Sequence, residues 1–423
     1  MNSWPKDTIS NLCHKIGDGL HGTPEYVNSS NIFFINGNNL ENGKIVIDKN
    51  TKEISNKILE KNNIKLNDNS LLLSINGTIG DLAFYNNENV MLGKSVAFFN
   101  FKSDINRFYF YYFQLPGVQE FFYNNATGST IKNLSLDTLN NLKVPVPRKE
   151  EYKKIVDCLS SFDEKINNNN EIKKEVISYI KLIFNYWFVQ FDFPDKNNKP
   201  YKSNGGKMKW SDVYNREIPI NWTEEKIADI LSELECGDRP KGGIKEIKDG
   251  VPNIGAENII GLGEYNYKKE KKVSNEFYSK MKQGIINSND VLVYKDGAGL
   301  GQISMFKNDF PYKKSCINSH VFILRTNEKI SQNYLYFWLD QKFMRDLIYR
   351  SGITSAQPGI NQDDVQTFPI LIPEKKIIQK FEYILNPLID LIFEKSKENK
   401  RIQDLKEMYL QMLMNGQLES INT

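Results

Sequence analysis

The chain carries one long pattern twice, and this constrains its fold more than any other feature. Leu66–Phe84 (LNDNSLLLSINGTIGDLAF) is answered by Ile286–Phe306 (INSNDVLVYKDGAGLGQISMF), and Ser95–Phe101 by Ser319–Arg325. Phe108–Leu115 (FYFYYFQL) is answered by Asn333–Asp340 (NYLYFWLD), and Val144–Pro147 by Pro369–Pro373. Gly297 follows Gly77 by 220 residues, Gly352 follows Gly128 by 224 and Pro373 follows Pro147 by 226. The drift is that of small insertions in loops. Solenoid units repeat every ~20–50 residues, so this period describes two copies of a whole domain, each followed by the same kind of helix.

Within a copy the pattern is mostly that of strands. Ile32–Ile35, Leu71–Ile75 and Val96–Phe101 are short apolar runs between Asn, Gly and Asp clusters. Asn36-Gly-Asn and Asn76-Gly-Thr are turn signals. Phe108–Asn124 suggests two short helices broken at Pro116, and Val144-Pro-Val-Pro an extended close. From Lys149 the period changes. Ile155, Leu159, Phe162, Ile166, Asn169, Lys173, Val176, Ile180, Ile183 and Trp187 alternate spacings of four and three, a coiled-coil seam. Phe381, Leu385, Leu388, Ile392, Lys395, Asn399 and Ile402 repeat it 226 residues on, with a kink expected at Pro387.

Both seams turn polar at the same two positions, Asn169/Lys173 and Lys395/Asn399. Antiparallel helices would bring the two pairs into one register-setting layer; fraying or bending with solvated side chains is the alternative. The expected organisation is α+β, with two globular β-rich domains separated by an antiparallel pair of long coiled-coil helices and related by an approximate two-fold. Its boundaries are 1–147 and 222–373 for the domains and 148–190 and 374–418 for the helices. A linker, 191–221, has too little apolar content for a core.

Chemistry has no evident seat in this sequence. Four cysteines and three histidines show no zinc-ligand spacing, so no metal site and no disulfide framework are expected. There is no P-loop, no HExxH and no Asn/Asp-Pro-Pro-aromatic motif. Asp296-Gly-Ala-Gly-Leu-Gly superficially resembles a nucleotide or S-adenosylmethionine loop, which must open a helix; the following Gln302–Phe306 looks like a strand, which favours a hairpin. Asp192 and Asp195 are the nearest approach to a nuclease carboxylate cluster, and they lie in the linker. No secretion signal or membrane span is evident, and a soluble cytoplasmic protein is expected.

The loops therefore suggest a binder. The first copy offers Lys15, His21, Asn36, Asn38, Asn39, Asn76, Thr78, Lys94, Thr127, Ser129, Thr130 and Lys132. The second offers Arg239, Lys241, Asn253, Glu257, Asn258, Lys295, Lys313, Lys314, Arg350, Thr354, Ser355 and Gln357. Asn, Gln and Arg read base edges, while Lys, Ser and Thr suit phosphates. Singly, each also suits a turn or a solvated surface; the case rests on recurrence in both copies. A net charge of +3 and a pI near 8.3 are too mild to identify a nucleic-acid partner.

The layout resembles the specificity subunit of Type I restriction–modification systems over essentially the whole chain. The Gly-Thr-Ile-Gly-Asp loop carries the resemblance, with the Ala-Thr-Gly-Ser-Thr-Ile loop and its partner Ser-Gly-Ile-Thr-Ser-Ala. So do the Val-Pro-Val-Pro and Ile-Leu-Ile-Pro-Glu turns and the Trp187-Phe-Val segment; Ala298-Gly-Leu-Gly departs from the first copy's loop. The resemblance implies that each domain reads half of a split double-stranded DNA target and that the helices set the gap. It also implies two docked modification subunits, which bind S-adenosylmethionine and methylate adenine, a restriction subunit in cleaving assemblies, and no cofactor or catalysis in this chain. Two rivals stay open here: a methyltransferase using Asp296–Gly301, and a two-headed scaffold that binds no DNA.

Overall fold

The computed structural model describes residues 4–62, 64–240, 243, 247, 249–353 and 358–415. It divides into two compact units, 1–165 with 402–423, and 166–401. Each unit therefore holds one sequence repeat together with parts of both long helices.

The repeat is reproduced down to strand register. In the first unit an antiparallel sheet runs Cys13–Asp18, Val96–Phe101, Ser70–Asn76, Thr78–Phe84. In the second the order is Leu231–Cys236, Val321–Thr326, Val291–Tyr294, Ile303–Met305. Phe99 faces Leu71 as Leu324 faces Val291. Both edge strands bulge at the same place, past Cys13 and past Leu231. A second small sheet pairs Phe33–Ile35 in parallel with Val90–Leu92, and Val251–Ile254 in parallel with Cys316–Ile317. The domain's ends meet in a further strand pair, Lys6–Thr8 with Lys143–Pro145 and Thr223–Lys226 with Pro369–Ile372. A buried tyrosine ties that closing strand to the first aromatic helix in both copies. Tyr109 donates to Pro145 O at 2.9 Å, and Tyr334 to Leu371 O at 2.8 Å.

The aromatic segment is a pair of helices, Asn106–Tyr112 and Pro116–Asn125, with Pro116 at the first turn where no N–H is needed. The second copy has the same pair, Gln332–Leu339 and Lys342–Gly352. The linker expected between Asp192 and Trp222 is not a bare tether. Met208–Ser211 and Arg216–Pro219 form a hairpin, Phe191, Phe193 and Ile218 are buried, and Phe193 stacks between Tyr201 and Trp222 at 4.7 and 5.4 Å. Few apolar residues suffice here because the segment packs on the second unit's core instead of making its own. Asp192 accepts from Ser203 N and Oγ, and Asp195 from two backbone N–H groups, so both carboxylates shape turns.

The first long helix spans Lys149–Phe184 and ends in a wide turn, Asn185–Val189, that buries Trp187 and Phe188. Glu150 and Glu151 suit its N-terminus. The second spans Lys375–Met414 and runs on without a break through Pro387, which lies on the exposed face. Residues 416–418 of the expected helix fall outside the described residues. The helices are antiparallel within each unit. In the first, Phe162 meets Tyr409 at 5.6 Å and Asp163 meets Lys406 at 2.6 Å. In the second, Asn169 meets Asn399 at 2.8 Å and Phe184 meets Phe381 at 5.8 Å.

Only the asparagines of the expected polar layer meet. Lys173, 4% exposed, leaves the seam to bind Glu264 Oε1 at 2.6 Å, and Lys395 turns to Glu398 at 2.8 Å. A long cation escapes to a carboxylate because a second buried charge opposite it would be unpaired. Asn169 is fully buried, and its Oδ1 has no hydrogen-bond partner. Such an orphan costs about 1–3 kcal/mol, so changing Asn169 and Asn399 together to Leu, which removes the orphan without stranding its partner, should raise the melting temperature in calorimetry by several degrees.

One link inside the sheets is made by different chemistry in the two copies. Asn100 accepts from Ser70 Oγ and donates to Lys65 O, both at 2.7 Å. At the equivalent places Arg325 binds both oxygens of Asp290 at 2.7 Å and donates to Ile285 O at 2.8 Å. It also reaches Glu233 and Glu235. Asp290 is buried, so Arg325→Asn should cost about 3–5 kcal/mol by stranding its charge. The double variant Arg325→Asn/Asp290→Ser, which installs the first copy's pair, should recover most of that loss in denaturant titration.

Candidate nucleic-acid interface

In each unit two loops are fastened side by side by the same two backbone bonds, and a third bond closes the second loop on itself. Leu134 N donates to Ile75 O (2.8 Å), Gly77 N to Lys132 O (3.3 Å) and Asn133 N to Thr127 O (2.7 Å). In the second unit Ile360 N donates to Lys295 O (2.8 Å), Gly297 N to Pro358 O (2.9 Å) and Gly359 N to Gly352 O (2.9 Å). Gly77 and Gly297 hold φ of +80° and +71°, which glycine adopts without strain. The Gly297–Gly299 turn leads into strand Ile303–Met305. It opens no helix, so the feature that a nucleotide-cradling loop requires is missing.

A third loop lies against this frame through a close backbone approach. A Cβ on Gly19 would sit 2.1 Å from Leu92 O, and one on Gly237 2.2 Å from Ile317 O. The fourth is braced by one asparagine in each copy. Asn39 Oδ1 accepts from Asn36 N at 3.0 Å while Nδ2 donates to Val46 O at 3.0 Å. Asn258 Oδ1 accepts from Gly255 N at 2.9 Å while Nδ2 donates to Asn266 O at 3.0 Å. Asn39 and Asn258 thus recur because the turn needs them, and both side chains are committed to the frame.

The side chains mounted on the frame differ. In the first unit Asn38, Thr78, Lys94, Ser129 and Thr130 are exposed, and Thr127 is held through its backbone. Asn76 Nδ2 donates to Asn133 Oδ1 at 3.2 Å, His21 Nε2 lies 2.8 Å from Asp18, and Asn36 Oδ1 accepts from Ser95 Oγ at 3.0 Å. Lys132 stands 3.5 Å over the Tyr123 ring and donates to Tyr123 O. Asp18, His21, Asn76, Lys94, Asn133 and Ser135 line a cleft of about 250 Å³. Lys15 lies within its strand, 5.8 Å from the Phe98 ring centroid, and does not line this cleft.

In the second unit Arg239, Lys313 and Lys314 are exposed. Asp296, at the place of Asn76, receives His320 Nδ1 at 2.9 Å and Lys295 at 3.3 Å. Glu257, at the place of Asn38, is paired with Lys271 at 2.8 Å. Burial would push that carboxyl up, but the Lys271 ammonium holds it below its ordinary value. Two sequence-expected residues fall elsewhere. Asn253 is buried at the position of Phe34, with neither amide atom hydrogen-bonded. Arg350 lines a separate aromatic cleft with Tyr214, Arg216 and Phe343. Lys241, Thr354, Ser355 and Gln357 lie outside the described residues.

The loop residues named from sequence omit Asp18, Ser95, Asn133 and Ser135 in the first unit and His320 in the second, and Asp296 enters there only as the head of the glycine loop. Strand register puts His320 at the place of Ser95, one residue beyond the match Ser95–Ser319 that the sequence repeat gives. Among the described residues no group of three His, Cys, Asp or Glu side chains is placed to hold a metal ion, and no helix is long and apolar enough to cross a membrane.

Comparison with known proteins gives the same division. The model of the Type I restriction modification DNA specificity domain matches residues 2–177 and 219–404, so each match runs from a recognition domain into the helix that follows it. The Type I restriction enzyme MjaIX specificity subunit of Methanocaldococcus jannaschii is 24% identical over 320 residues, covering 74% of this chain and 69% of the relative. The EcoBI specificity subunit of Escherichia coli is 24% identical over 344 residues, covering 78% and 70%. The crystal structure of a Type I S subunit from M. genitalium shares the fold, with a TM-score of 0.55 at 16% identity over 97% of this chain and 96% of that one. With both repeats matched, loops and helices included, the chain belongs to the family of Type I restriction–modification DNA specificity subunits.

Proposed function

We propose that this chain is the DNA sequence-specificity subunit of a Type I restriction–modification assembly, a recognition component without catalysis of its own. The observation that carries this reading is one loop frame built twice and furnished with different side chains. The same backbone frame presents mainly amides and hydroxyls in one unit, beside Lys94 and the Asp18–His21 pair, and carboxylates with cations in the other. A carboxylate can only accept, whereas an amide both donates and accepts, so the two loop sets favour different base edges. Each domain then reads one half of a bipartite double-stranded target, and the long helices set the interval between halves. S-adenosylmethionine, adenine methylation and base flipping belong to the modification subunits, and cleavage to a restriction subunit, all in the cytoplasm. The methyltransferase alternative is not favoured, since Asp296–Gly301 forms a hairpin.

Two partner subunits are supported by a duplicated apolar patch. Tyr179 and Leu182 are 54% and 64% exposed on the first long helix. Leu405 and Met408, 226 residues on, are 44% and 48% exposed on the second. Exposed apolar pairs at equivalent helix positions suit two copies of one partner. Changing Tyr179 and Leu182 both to Asp should leave the melting temperature within about a degree and reduce bound modification subunits from two to one by native mass spectrometry. Two still bound would reject the patch.

The interval has its own test. Four residues inserted after Asn168 lengthen the first helix by about 6 Å, close to two base-pair steps of about 3.4 Å, with a matching insertion in the second helix after Asn399. Methylome sequencing should show the same half-sites separated by a gap about two base pairs longer. Altered half-sites with an unchanged gap would overturn the ruler reading.

A further inference from the structure

The repeat supplies an internal control for the space beside the glycine loop. In the first unit Gln119 fills it. Its Nε2 donates to Gly80 O at 3.1 Å and Phe113 O at 2.7 Å, and a Cβ on Gly80 would lie 1.9 Å from its Oε1. The equivalent residue in the second unit, 226 positions on, is Arg345. Arg345 turns instead to Asp340. A cleft of about 470 Å³ is left between the glycine loop, Ile260–Leu262 and the first long helix at Ile177 and Lys181.

Charge and polarity limit what this cleft takes. Asp340 is shared by Lys181, at 2.8 Å, and Arg345, which are 44% and 50% exposed. Burial, then the neighbouring guanidinium, lowers the Lys181 pKa from its ordinary value. The other carboxylate on the lining, Glu264, is taken by Lys173. Two cations on one carboxylate leave a unit of positive charge. The first unit reverses it: the counterparts of Lys181 and Arg345 are Glu407 and Gln119, and the aligned repeat puts Leu115 at the place of Asp340. Ile260 on the lining is 57% exposed, and Tyr179 and Leu182 are exposed on other faces of the helix that carries Lys181, within the span of one partner that wraps that helix. DNA-contacting surfaces are polar and basic; an unmatched cation among exposed apolar side chains suits a protein contact anchored by one ion pair.

We propose that this cleft receives an acidic side chain of the modification subunit that covers Tyr179 and Leu182, so that the chain's two docking sites are unequal. The inference rests on the reading of the chain as a scaffold for two such subunits. The site at Leu405 and Met408 has Glu407 in place of the cation, and Gln119 fills the equivalent space beside Gly80, so it binds the same partner without the anchor.

Stepwise binding of the purified cognate modification subunit to the full chain, measured at two salt concentrations, tests this. Arg345→Gln gives the first copy's residue, and Ile260→Asp puts a like charge on an exposed rim position. In either variant one binding step should weaken about tenfold or more, with the other unchanged; in Arg345→Gln the weakened step should also lose salt dependence. Wild-type melting temperatures would show that the fold is intact. Both steps unaltered, or both weakened alike, would overturn the inference while leaving the scaffold reading standing. Weaker DNA binding with unaltered subunit binding would also overturn it, assigning the cleft to a phosphate. A wild-type chain that binds no modification subunit would remove the scaffold reading itself.

Discussion

Everything proposed for this chain depends on a short set of backbone bonds between the glycine loop and the loop that follows the aromatic helices. Ile75 with Leu134 and Gly77 with Lys132 supply them in the first unit, and Lys295 with Ile360 and Gly297 with Pro358 in the second. Because main-chain atoms make these links, the side chains above them are free to change without disturbing the loops. That independence is what a family of readers needs: one architecture, with the message rewritten residue by residue. The asparagine braces at Asn39 and Asn258 serve the same end, since they consume their own polar atoms to keep the neighbouring turn fixed.

Both domains, both long helices and their antiparallel sense were legible in the sequence, because apolar periodicity and turn residues act locally and the repeat doubled every signal. The parts that were not legible depend on where a side chain points. Lys173 reads as a seam residue by spacing, yet it leaves the seam for Glu264, which is 91 positions away. Asn253 reads as a loop residue by type, yet it occupies a core position that the first copy gives to Phe34. The linker's few aromatics looked insufficient for a core because the core they join belongs to the second domain. Of the site, the loops were foreseen; which residues brace them and which face outward was not, since Asn serves both purposes equally well.

The two copies also show how a duplicated fold diverges in its interior. The Asn100–Ser70 pair and the Arg325–Asp290 pair tie the same strands to the same preceding loop. One solution is neutral and compact; the other is ionic and draws in two further carboxylates. Neither residue could change alone without leaving a buried polar group unsatisfied. Divergence at this position therefore required coordinated change, whereas divergence on the loop frame did not.

The wide turn at Asn185–Val189 has a consequence for how such chains exchange parts. It plants Phe188 among Tyr334, Phe381 and Trp222, at ring separations of 4.9, 4.8 and 5.9 Å, so the end of the first long helix is rooted in the second domain. Genetic shuffling that joins a foreign front half upstream of Lys149 leaves this aromatic root whole. A crossover only some forty residues later would tear it, and hybrids of that kind should be scarce in nature.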